Sequence, residues 1–125
     1  MQVHLNDNYI NKVRTFVTGA VRDTDEGKPD MDLLPWELLF RLAYHYTEGA
    51  KKYGKGNWRK GQPKSATFAS LMRHAAQYRM GMTDEDHLSA IIWNAFSLMH
   101  VDTALLRDHP ELGFVDTEED VCCKG

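Results

Sequence analysis

Three carboxylates and an imidazole follow one another at Asp84, Glu85, Asp86 and His87. Oxygen donors of this kind hold hard cations such as Mg2+ or Mn2+, and the adjacent imidazole can serve as a base or a further ligand. The same acids have a plainer use. Thr83 and Asp86 stand at capping-box spacing, and acids in a first helical turn favour the helix dipole. His87 and Asn94 are two helical turns apart, so one helix carries them on one stripe, and Asp86, Trp93 and His100 repeat that spacing on a parallel stripe. Arg73 and His74 lie upstream. A pair of antiparallel helices closing at Gly81–Thr83 would bring His74, late in one helix, toward His87, early in the next. An ordinary histidine at the edge of a core is the alternative for His74.

A second concentration of chemistry is the run Gly49–Gly61, GAKKYGKGNWRKG. It combines backbone freedom, positive charge, two aromatic rings and an amide, which suits a phosphorylated ligand carrying an aromatic base. From Gly49 through Thr83 there is no Asp or Glu, whereas Lys51, Lys52, Lys55, Arg59, Lys60, Lys64, Arg73 and Arg79 all fall in that window. The whole chain carries −3, so a basic middle lies between acidic ends. Such a distribution attracts anions locally without making a general nucleic-acid binder, and a solvated basic face is its bland counterpart. Gly56–Gly61 matches the GxxxxG half of a P-loop, but Gln62-Pro63 follows instead of Lys-Ser or Lys-Thr, and a helix rather than a strand precedes it. Lys28, between Gly27 and Pro29, is a further lysine on a constrained loop. No serine or cysteine has a nucleophile's setting, which leaves metal-assisted attack of water on phosphorus as the natural chemistry.

These residues must be positioned by helices. Pro35 opens a helix that runs to about Lys52 with Leu38, Leu39, Leu42, Ala43, Tyr46, Ala50 and Tyr53 on its apolar side. A second starts with Ser65 as N-cap, carries Phe68, Leu71, Met72, Ala75 and Tyr78, and stops at Gly81. A third opens at Thr83–Asp86 and reaches about Arg107, with Leu88, Ile91, Ile92, Ala95, Leu98, Met99, Leu105 and Leu106 buried. Residues 8–21 carry a short apolar pattern that fits a helical turn or a strand, and no strand pair is expected. The fold class expected is all-α, a small bundle of three main helices with a long basic loop between the first two. The divisions are an N-terminal arm over 1–21, a helical nucleotide-binding domain over 22–109 and an acidic, flexible tail over 110–125.

A chain of 125 residues reads as one domain with a small core, which favours oligomer formation. A dimer, or a tetramer of dimers, is expected, because one face of the third helix at His100, Val101 and Leu105 needs covering. No stretch is long and apolar enough for a membrane span, and the first residues lack a signal-peptide pattern. The cysteines are the adjacent Cys122 and Cys123, which suit a reducing, cytoplasmic setting (host cytoplasm if phage-encoded).

Several blocks stand in order along the chain: Arg22-Asp23-Thr24, Glu26-Gly27-Lys28-Pro29, Asp32-Leu33-Leu34-Pro35, Gly49-Ala50, Lys52-Tyr53-Gly54, Asn57-Trp58, Gly61, Arg73-His74, Gln77-Tyr78, Gly81, Asp84-Glu85-Asp86-His87-Leu88 and Trp93-Asn94. Together they resemble the phage and bacterial family of dATP/dGTP diphosphohydrolase N-terminal domains, over roughly residues 20–106. The resemblance implies cleavage of a deoxypurine triphosphate to the monophosphate and pyrophosphate with Mg2+ or Mn2+. That activity is similar to the MazG-type all-α pyrophosphohydrolases, which carry ExxE and ExxD on two helices. Here Glu37 and Glu48 form no ExxE, and Glu85 and Asp86 are followed three places on by Leu88 and Ser89. In a site of that type His74, His87 or Asn94 would have to replace carboxylates.

The expectation is therefore a nucleotide pyrophosphohydrolase. Lys28, Lys52, Asn57 and Arg59 would hold phosphates, with Asn94 also on the substrate side, and Arg73 would offset charge on the leaving pyrophosphate. Trp58 or Tyr53 would stack on the base. Asp84, Glu85 and Asp86 would bind the metal, and catalysis would fall to Asp86 with His74 or His87 as base or ligand. A nucleotide-binding protein that does not hydrolyse, sequestering or sensing a signalling nucleotide, uses the same basic loop and fits the missing acids. A single-strand nucleic-acid accessory protein is a third possibility, opposed by the net negative charge.

Overall fold

The computed structural model describes residues 13–114. The expectations for the extreme N-terminus, for the acidic tail beyond Phe114 and for Cys122 and Cys123 fall outside the described residues. Two compact units are present, divided between Leu34 and Pro35.

The first unit corrects the expectation that no strands pair. Strands β1 (Val13–Thr15) and β2 (Val21–Asp23) form an antiparallel hairpin with Val13 opposite Asp23 and Thr15 opposite Val21. Gly19, at φ +88°, makes the reversal, and the Phe16 amide donates to the Ala20 carbonyl at 2.8 Å. Both strands are three residues long and exposed throughout, so there is no apolar alternation to read. Their β-branched residues and the glycine are the local causes. A short 3-10 turn follows at Met31–Leu33, where the Asp30 carboxylate accepts from the Asp32 amide at 3.0 Å.

The second unit is helical. Helix α1 spans Trp36–Tyr53, α2 spans Lys64–Arg79 and α3 spans His87–His100. Helix α3 is central, packing against both α2 and α1. Helix α1 ends at Gly54, whose φ of +88° is open only to glycine at low cost. The connection to α2 folds into a 3-10 turn over Asn57–Lys60.

Three boundaries differ from expectation. Helix α2 begins one residue before Ser65, and Pro63 takes the N-cap position without a side-chain bond, so Ser65 is not the cap. Helix α3 begins at His87, and its N-cap is Asp86 rather than Thr83. Beyond His100 the helical path continues to Leu105 but widens, with the Leu106 amide donating five residues back to Val101 at 2.8 Å. The Thr103 hydroxyl donates to the Met99 carbonyl at 2.9 Å, which occupies the acceptor an α-turn there would use.

The buried face of α3 is not the apolar one. His87, Ala90, Asn94, Ser97 and Val101 recur at alternating spacings of three and four and are all buried, while Ile92, Phe96 and Met99 are exposed. Helix α1 behaves similarly, since Leu42 is buried while Leu38, Phe40 and Tyr44 face outward. Val101 does not need outside cover, being 1 % exposed. Among the described residues no helix is long and apolar enough to cross a membrane.

Gly61 joins the loop to the end of the α3 path. It sits at φ +89°, and a Cβ there would meet Leu105 Cδ1 at 2.5 Å and Leu112 Cδ1 at 3.1 Å. Gly61→Ala is expected to cost about 2 kcal/mol from backbone strain and overpacking. A lower urea midpoint at unchanged m would show it, and an unshifted midpoint would contradict it.

Candidate functional site

Helix α1 presents Arg41, His45, Glu48 and Lys52 at spacings of four, three and four, which align them on one face. That face lines a groove with Tyr44, Gly49, Tyr53, Glu85 and Asp86. On the other side of His45 and Tyr53 opens a cleft of about 600 Å³, within the usual range for small-molecule sites. Its walls are Tyr46, Tyr53, Trp58 and Trp93, with Asn57, Gln62, Ser70, His74 and Asn94 as polar groups and Lys55 as its cation. No acid lines it. Cleft and groove share His45, Gly49 and Tyr53.

The aromatic wall is held from several sides. Trp58 meets Tyr46 edge-on at 6.3 Å and the His100 ring at 5.1 Å, and the Arg59 guanidinium lies over its face at 4.3 Å. His100 Nε2 donates to the Arg59 carbonyl at 3.0 Å, tying the loop to the end of α3. Burial raises the pKa of the Tyr46 phenol, so that ring stays neutral. Tyr53 is largely exposed and stands at the opening.

At the start of α3 the acids go to different partners. Arg41 Nε and Nη2 each donate to an Asp86 oxygen at 2.8 Å, a two-pronged pair reaching across 45 positions of sequence. Asp86 also accepts from the Ser89 amide at 3.2 Å and the Ser89 hydroxyl at 2.7 Å. The Arg41 bonds hold the Asp86 carboxyl well below the usual carboxylate range, against the opposing effect of its partial burial. Asp84 Oδ1 accepts from His87 Nε2 at 2.8 Å, and that bond lowers the Asp84 pKa. His87 Nδ1 lies 2.9 Å from His74 Nδ1, and His74 Nδ1 lies 3.5 Å from Glu85 Oε1. Ligand atoms of His74, Glu85 and His87 all fall within 4.8 Å of one another. Burial pushes the His74 imidazole below its ordinary pKa, more than the nearby Glu85 raises it. The ring is therefore neutral at pH 7 with one nitrogen lone pair available.

The sequence-expected residues divide accordingly. Tyr53, Asn57, Trp58, His74 and Asn94 share the cleft, and Asn94 is buried with its amide donating to the Ala90 carbonyl at 2.8 Å. Lys52, Glu85 and Asp86 line the groove, and His74 and His87 touch, a meeting that the helix-hairpin argument allowed if the phases of the two helices agreed. Arg59 covers the outside of Trp58, and Arg73 is exposed with a 3.4 Å bond to the Ser70 hydroxyl. Lys28 belongs to the first unit, where it lines a hollow with Arg14, Arg22 and Asp25. Sequence reasoning missed Arg41, His45 and Glu48. The four-three-four recurrence of polar residues on α1 is the signal that carries them.

This is a helical unit built around an acid-free, aromatic-walled cleft with a histidine cluster at one side. A family model described as dATP/dGTP diphosphohydrolase, N-terminal, matches residues 18–108. The chain belongs to that family. Neither a curated protein nor a solved structure matches it.

The Asp86 geometry generates a pH test. A carboxyl whose folded pKa is depressed contributes fully above its unfolded value of about 3.9 and loses that contribution as pH falls below it. Asp86→Asn keeps a capping oxygen but loses the charge. In chelator-treated protein it should be less stable than the parent at pH 7, with the gap narrowing steadily below about pH 4. A gap that does not change with pH would mean the Arg41 pair contributes nothing to folding.

Proposed function

We propose that this chain is a metal-dependent deoxynucleoside triphosphate pyrophosphohydrolase that converts dATP or dGTP to the monophosphate and pyrophosphate. The observation that carries the reading is the nucleoside-sized, acid-free cleft that borders a groove holding Lys52, Glu85 and His45. Family membership supports the reaction class.

In this reading the purine lies in the cleft, stacked on Tyr53 with Trp58 and Trp93 as walls, and the amides of Asn57 and Asn94 reach its edge. The triphosphate passes His45 into the groove, where Lys52 offsets its charge, and Lys55 does so at the cleft. Arg59 and Arg73 assist from the rim. Water attacks the α-phosphorus, the bond from that phosphorus to the bridging oxygen breaks, and pyrophosphate leaves with the electron pair. A divalent cation such as Mg2+ or Mn2+ supplies charge neutralisation and a more acidic water. Asp84, Glu85, Asp86, His74 and His87 surround the place for it, and Glu85, His74 and His87 are the members whose atoms converge.

A second reading, nucleotide binding without hydrolysis, is favoured by the engagement of both Asp86 oxygens with Arg41 and the absence of any acid in the cleft. The two readings separate in one assay. Incubation of each dNTP with Mn2+ or Mg2+ should release pyrophosphate, fastest with the purines, and His74→Gln should lower the rate at least ten-fold. Trp93→Ala should raise KM more than it lowers kcat. Saturable nucleotide binding by calorimetry with no product would decide for the second reading.

The copies are proposed to associate as a dimer or a tetramer of dimers. Phe40, Tyr44, Met72 and Met99 are each more than half exposed, whereas Leu42, Ala90 and Val101 are the buried apolar side chains among the described residues. Size exclusion with light scattering should give a mass at or above the dimer, and a clean monomer at micromolar concentration would refute association.

A further inference from the structure

The His74–His87 contact has an unusual feature for two core histidines: both rings approach through Nδ1, at 2.9 Å. The partner on the far side of His87 determines what its Nδ1 can do. Asp84 is an ionised carboxylate and only accepts, so His87 Nε2 carries the proton. With Nε2 held by Asp84, the ring turns Nδ1 toward His74, in a side chain that is 1 % exposed. His74, with a 14 % exposed side chain, brings a second Nδ1 to the same point, and Glu85 brings an oxygen 3.5 Å from it. A carboxylate fixing the tautomer and orientation of an imidazole is the outer arrangement that metal-ligating histidines use.

We propose that His74 Nδ1, His87 Nδ1 and the Glu85 carboxylate form a three-ligand centre for a first-row divalent transition ion, with Asp84 as the outer carboxylate that orients His87. The spacings suit it. Two donors each about 2.1 Å from one ion, meeting it at angles between a right angle and the tetrahedral one, are about 3.0–3.4 Å apart. The observed 2.9 and 3.5 Å fall just outside the two ends of that interval, and the ligand atoms of all three residues lie within 4.8 Å of one another. Two imidazoles and one carboxylate favour Mn2+, Co2+, Ni2+ or Zn2+ over Mg2+, which prefers oxygen donors and sheds water reluctantly. Three protein ligands leave positions for water or a phosphate oxygen. His74 also lines the nucleotide cleft and Glu85 the adjoining groove, so the centre touches both. Asp86, bonded to Arg41 and Ser89, is placed outside the ligand set.

A centre of this kind deepens the hydrolase reading by naming its metal, yet its occupancy is measurable without nucleotide. The probe is Co2+ alone, titrated into the tag-free full chain and followed by its visible absorption and by metal analysis after dialysis. One Co2+ per chain is expected, with millimolar Mg2+ unable to displace it. His74→Gln and Glu85→Gln should each weaken binding at least ten-fold, and Asp84→Asn by about ten-fold. Circular dichroism checks that each variant folds. If a variant does not fold, proton NMR of the Co2+-loaded parent decides: two exchangeable, strongly shifted imidazole N–H signals are expected, one from each Nε2. Absence of saturable binding, unchanged binding in both folded ligand variants, or a spectrum without imidazole N–H signals would each overturn the centre. Co2+ binding without dNTP cleavage would remove the hydrolase reading and keep the metal centre. Mg2+-supported cleavage without Co2+ binding would do the reverse.

Discussion

Burying His87 obliges two other groups to come to it. An imidazole that is 2 % exposed needs partners for both nitrogens, because an unpaired buried polar group costs about 1–3 kcal/mol. One partner is local: Asp84 stands just before α3 and reaches back to Nε2. The other must come from a different helix, and His74 supplies it, which sets the phase and height of α2 against α3. Glu85 then falls beside His74 by its place in the same turn. The cleft follows, since the stripe that buries His87 also buries Asn94 and turns Ala90 toward α2 and the loop.

A second restraint acts on α1. The Arg41–Asp86 pair joins the first turns of α1 to the cap of α3, and the partial exposure of both side chains limits its strength in water. Its value here is geometric: a planar guanidinium on both carboxylate oxygens fixes orientation as well as distance. With α1 set at that end and Trp58, His100 and Gly61 setting the loop at the other, the space between them is the cleft.

Helix positions were legible because apolar periodicity, Gly54, Gly81 and His109-Pro110 mark them within a few residues. The side each helix buries was less so. Apolar stripes such as Ile92, Phe96 and Met99 look like core, but a small unit buries its polar stripe and leaves these outward, consistent with association between copies. The hairpin was missed because three exposed residues per strand carry no periodic signal. The meeting of His74 and His87 was legible from the helix hairpin, since a short connection restricts which turns can meet. The engagement of Asp86 by Arg41 was not, because nothing local relates residues so far apart in the chain.

Local chemistry therefore determined that this protein has helices, a basic aromatic loop between two of them, and acids at the opening of a third. These follow from composition and spacing within a few turns of chain, where the backbone repeat dictates which residues are neighbours. Only the tertiary structure decided which acids stay available. Asp86 is engaged by a distant arginine, Asp84 by a buried histidine, and Glu85 is left facing the groove. Those outcomes depend on competition among partners from different helices, where distance and desolvation, rather than order in the chain, set which contacts form.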